Sequence, residues 1–224
     1  MRHMSSKAVT PTISFADLWI DGELYCKTVG VEEDYKNVFD PDMIRACFRS
    51  VNYGVPNYFI PQFQRAIRYH SPIPNRYFKD WTHKHLHLYQ DKLRHFTGYM
   101  LVNDVLVWPV MGISYDKVWE IFDEFKFDGN EKFVFYADPA SPFGYNERLL
   151  MVSTFVLDGR VMIIVMNDTK EPVSEISFDP EKFKALGVTV SALKDAESGS
   201  DVPVENNSIR YTVPARDYRI FVTK

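Results

Sequence analysis

The chain has 224 residues, 46% hydrophobic and 15% aromatic, which is enough apolar material for one large core or two small ones and excludes a disordered chain. Thirty acidic residues against 26 basic ones leave a formal net charge of −4, and no Lys/Arg run is dense enough to track phosphates, so nucleic acid is not an expected partner. No apolar run reaches the roughly 18 to 20 residues of a membrane helix, and the two cysteines, Cys26 and Cys47, fit ordinary thiols better than a disulfide framework.

Residues 1–12 have neither the apolar stretch nor the cleavage site of a secretory signal and read as a tag or unstructured lead, which leaves the compartment unknown. From Ile13 to Ile20 the pattern has the period of a strand, with Phe15, Asp17, Trp19 and Asp21 on one face. Asp40-Pro41-Asp42 supplies an N-cap, a proline at the first helical position and an acid in the first turn, and the helix that follows carries Ile44, Cys47, Phe48 and Val51 on one stripe. Val55 to Phe63 reads as a second strand, interrupted by Pro56 and Pro61, which completes a β-α-β run. Tyr77 to about Phe96 is predicted helical and leads through Gly98 into the apolar segment Tyr99 to Val110. Ser114 is placed to cap a further helix, with Ile113 stapled to Val118 and with Val118, Ile121, Phe122 and Phe125 as its buried stripe.

Beyond Asn130 short strands and turn signals take over. Strands are predicted at Lys132–Tyr136, Met151–Leu157, Arg160–Met166, Ser174–Phe178, Val188–Leu193, Ser208–Val213 and Tyr218–Val222, and Asp158-Gly159 is a strong hairpin signal. Short strands at this spacing predict a sandwich. The expected fold is therefore α+β, a partial β/α region over residues 13–128 followed by an antiparallel β-sandwich over 129–224.

Asp17 and Asp21 lie on one strand face with Trp19 between them, and Glu23 follows one step beyond Gly22. Same-face neighbours on a strand are roughly 6.5 to 7 Å apart, within the roughly 5 to 9.5 Å that separates the two carboxyl groups of a glycosidase. An aromatic on that face offers a flat surface for a sugar ring; the plainer alternative is that the acids simply form turns and caps. His83, His85 and His87 would share a face on a strand, but the surrounding pattern is helical, so a polar helix face is preferred to a metal site. Asp104 interrupts an apolar segment and either meets a partner or faces a pocket. Arg216, Asp217 and Arg219 read as strand-surface charges. No Gly-x-Ser-x-Gly, P-loop, dinucleotide or Cys-x-x-Cys signature occurs.

On these residues the chain resembles the C-terminal part of bacterial glycoside hydrolases and glycoside-hydrolase-like proteins, in which a (β/α)8 barrel precedes a β-sandwich. The matching features are the strand ending Asp21-Gly-Glu23, the segment Asn103 to Trp108, the helix and strand from Val118 to Tyr136, the hairpin Met151 to Asn167 and the closing Val213 to Phe221. The resemblance implies carbohydrate as partner, Glu23 and Asp21 as catalytic carboxyls, Trp19, Asp17 and Asp104 as substrate contacts, and no metal or cofactor. A complete barrel takes about 250 residues, and residues 13–128 are fewer than half of that. The resemblance thus implies either a missing N-terminal barrel segment or completion of the open sheet by further copies of the chain. The alternative is a non-catalytic carbohydrate-binding or structural sandwich module, with Tyr145, Tyr211 and Tyr218 as its platform.

Overall fold

The structure, a computed structural model, describes residues 2–3, 17–21, 40–52, 55–59, 90–107, 115–127, 129–145 and 149–224. Contacts divide the chain into two compact units, 1–90 with 103–114, and 91–102 with 115–224.

In the first unit the acidic strand predicted over residues 13–20 is described only from Asp17 on. Strand β2 is Trp19–Asp21, while Asp17 sits exposed on a bend before it. The lead is not wholly unstructured, because Arg2–His3 (β1) pair in parallel with Trp19 and Ile20. Helix α1, Pro41–Cys47, starts as its residues require, with Asp40 accepting a 2.9 Å hydrogen bond from Met43 N and Pro41 filling a position that needs no donor. Ile44 and Phe48 are buried, and the Phe48 ring lies 4.4 Å from that of Phe59. Among the described residues, strands β3 (Val51–Asn52), β4 (Val55–Phe59) and β5 (Leu106–Val107) join β1 and β2 in one sheet. β1, β2, β4 and β5 run parallel in that order and β3 pairs antiparallel with β4, so the predicted β-α-β run is present as β2-α1-β4. Pro56 is tolerated because the rows shared with β2 begin only at Asn57.

In the second unit Asp158 (φ 50°) and Gly159 (φ 74°) turn the chain as a two-residue hairpin demands, and β7 (Leu150–Leu157) pairs with β8 (Arg160–Asn167) down to Leu157 opposite Arg160. The remaining strands are β6 (Lys132–Val134), β9 (Val173–Ser177), β10 (Leu193–Asp195), β11 (Asp201–Val202), β12 (Val204–Glu205), β13 (Ser208–Val213) and β14 (Asp217–Thr223). They form an antiparallel six-stranded sheet, β11-β10-β14-β8-β7-β6, and a three-stranded sheet, β12-β13-β9. Val161, Ile163 and Val165 of β8 enter one core cluster with Ile176, Ile209 and Val213 of the smaller sheet.

Met162, Ile164 and Met166 point to the opposite face and are equally buried. Helices α2 (Gln90–Leu101) and α3 (Asp116–Phe125) belong to this unit, and at Gly98 an added Cβ would lie 2.6 Å from Tyr218 Cβ and 2.7 Å from Met166 Sδ. That contact is why α2 continues through Gly98 to Leu101, where the sequence suggested a stop: the glycine admits a close approach and does not end the helix. Both helices lie before residue 128, where a single boundary is expected, yet they group with the sandwich.

Helix α3 buries the predicted stripe Val118, Ile121, Phe122 and Phe125. Its N-cap is Tyr115, without a side-chain cap bond, while the proposed cap Ser114 lies outside the described residues. The stretch Val188–Leu193 is not strand except at Leu193, where β10 begins, and before it Pro180–Ala185 forms helix α4, capped by Asp179, whose carboxylate accepts from Glu181 N at 2.9 Å.

Burial pushes the Tyr115 phenol up to about 12, against a weak bond from Thr97 that pulls it the other way. Tyr218 is also raised, by burial first and then by the Glu197 carboxylate. Both folded values exceed the unfolded value of about 10, so their contribution to stability is complete below that pH and is lost as pH rises toward the folded values. The urea midpoint should hold between pH ~8 and ~10 and fall by pH ~11, with a smaller fall in Tyr115→Phe; a midpoint that is flat through that range would refute the assignment.

Candidate functional site

Parallel strands present their C-terminal ends at one edge, and in such sheets that edge carries the ligand sites. The register brings Asp21 opposite Phe59, and Phe59 opposite Val107, so β2, β4 and β5 end in one row. Asp21 closes β2 at this edge, with Trp19 two residues earlier on the same strand. Glu23 lies outside the described residues, as do Cys26 and the run His83, His85 and His87.

The other predicted contacts are not gathered there. Asp17 precedes β2 and is therefore near its opposite end. Asp104 lies two residues before β5, also at the N-terminal edge, and it meets partners: Oδ1 accepts from Ser50 Oγ at 2.8 Å, Oδ2 from Arg49 Nη2 at 3.5 Å, and its carbonyl from Ser50 N at 2.7 Å. Its φ of 59° adds a backbone reason for aspartate, which tolerates the left-handed region better than most residues. Of the two alternatives at Asp104, the partner is the one the geometry supplies.

Two polar constellations in the second unit have no counterpart among the predicted sites. His95 Nε2 lies 2.7 Å from Asp168 Oδ1, with both side chains nearly inaccessible at 4% and 2% exposure, and Arg216 Nη1 donates to the same oxygen at 2.6 Å. This cluster ties helix α2 to the turn after β8. Arg94 stacks 4.5 Å over the Tyr218 ring, grips Glu197 with two 3.0 Å bonds and donates to Asp217 at 2.6 Å, while Arg219 holds the other Asp217 oxygen at 2.8 Å. Burial alone would lower the Arg94 pKa, but its acidic partners raise it on balance. Arg216 and Asp217 are thus ties between elements, and Arg219 holds Asp217 from within the same strand, which a local reading as surface charges misses.

Of the three tyrosines suggested as a sugar platform, Tyr218 is 3% exposed and Tyr211 packs edge-on against Phe221, which leaves Tyr145, 54% exposed and stacked on Tyr136. Among the described residues no group of three or more His, Cys, Asp or Glu is placed to hold a metal, and no helix is long and apolar enough to cross a membrane.

No family model and no curated protein matches the chain. Solved structures that it resembles are glycoside hydrolases. An Anoxybacillus α-amylase is 10% identical with a TM-score of 0.47, over 92% of this chain and 52% of that one. A GH30 endoxylanase from Clostridium papyrosolvens C71 is 14% identical with a TM-score of 0.39, over 95% and 67%. A β-galactosidase from Bacillus circulans sp. alkalophilus is 22% identical with a TM-score of 0.24, over 37% of this chain and 10% of that one. The chain thus spans about a tenth of that galactosidase and about half of the amylase.

Proposed function

We propose that the chain is the C-terminal portion of a glycoside-hydrolase-like protein that takes a carbohydrate at the C-terminal edge of its parallel strands. The observation that carries this reading is the shared end row of Asp21, Phe59 and Val107, which sets an acidic strand end at the edge where parallel sheets hold ligands. Asp21 and Glu23 are the candidates for one member of the acid/base pair and for substrate contact, and Trp19 is the surface on which a sugar ring stacks. Asp17 and Asp104 stand toward the other edge and are left out of this site. The four parallel strands among the described residues do not close a barrel, so the remaining units, and with them at least one catalytic carboxyl, would come from further chain or further copies.

A product extended upstream should hydrolyse aryl glycosides, with Glu23→Gln or Asp21→Asn lowering kcat by roughly 10² to 10⁴-fold, while the 224-residue chain alone turns over none. Turnover by the short chain, abolished by Glu23→Gln, would refute the incomplete site. An extended enzyme indifferent to both substitutions would refute the assignment of the carboxyls.

The exposure of Tyr145 favours a second reading, a carbohydrate-binding sandwich without catalysis. Glycan binding lost in Tyr145→Ala and kept in Trp19→Ala would select it. Deleting residues 1–128 is a poor test of that reading, because it removes α2 and α3 and bares the apolar face of the six-stranded sheet.

A further inference from the structure

We draw no further inference here: the strongest candidate, the surface patch of half-buried rings that Trp119, Phe127 and Phe133 form beside the edge strand β6, joined through Phe122 and Phe155, is an apolar face for which nothing in the structure shows what covers it.

Discussion

Asp168→Ala should destabilise the C-terminal unit by about 3 to 5 kcal/mol, the usual cost of removing one partner from a buried charged pair. Asp168 is 2% exposed and one oxygen serves both His95 and Arg216. Without it, the imidazole and part of the guanidinium stay buried with a lost acceptor, and water reaches them poorly. Arg216→Ala should cost far less, because Arg216 is 39% exposed and exposed pairs contribute about 0 to 1 kcal/mol. Urea unfolding checks both, with the shift in midpoint read at constant slope. A loss below about 1 kcal/mol for Asp168→Ala would show that the cluster does not fasten α2 to the sheet.

Gly98→Ala sets two opposed effects against each other. In an open helix the change would stabilise by about 1 kcal/mol. Here the new Cβ lies 2.6 Å from Tyr218 Cβ, an atom fixed to the central strand β14, and 2.7 Å from Met166 Sδ, which is more easily displaced. Overpacking of this kind costs about 1 to 3 kcal/mol, so the net effect should be destabilising, with a Tm lower by about 2 to 4 °C for each kcal/mol. Gly98→Val should be worse. A Tm that stays level or rises in Gly98→Ala would mean that α2 can lift away from the sheet at little cost.

The parts of the fold legible in the sequence are those set by neighbouring residues. Asp158-Gly159 names its own hairpin, and Asp40-Pro41-Asp42 its helix start. The same logic at Asp179-Pro180-Glu181 passes unnoticed between strand-like stretches, although it caps α4. Val161 to Met166, six apolar residues in succession, marks a strand covered on both faces, but what covers it is not a local property. The candidate site is less legible. Asp21 is placed by strand register, whereas Asp104, a conspicuous acid in an apolar segment, is accounted for by Ser50 and Arg49, more than fifty residues away.

The sequence by itself determined the period of β7, β8, β9, β13 and β14, the Asp158-Gly159 turn and the amphipathic stripe of α3, because these depend on backbone preferences and burial within a few residues. Only the tertiary structure decided that α2 and α3 join the sandwich and that Arg94 and Arg216 are clasps between elements. Charge pairing and close packing act between residues distant in the chain, and their partners become neighbours only when the layers meet.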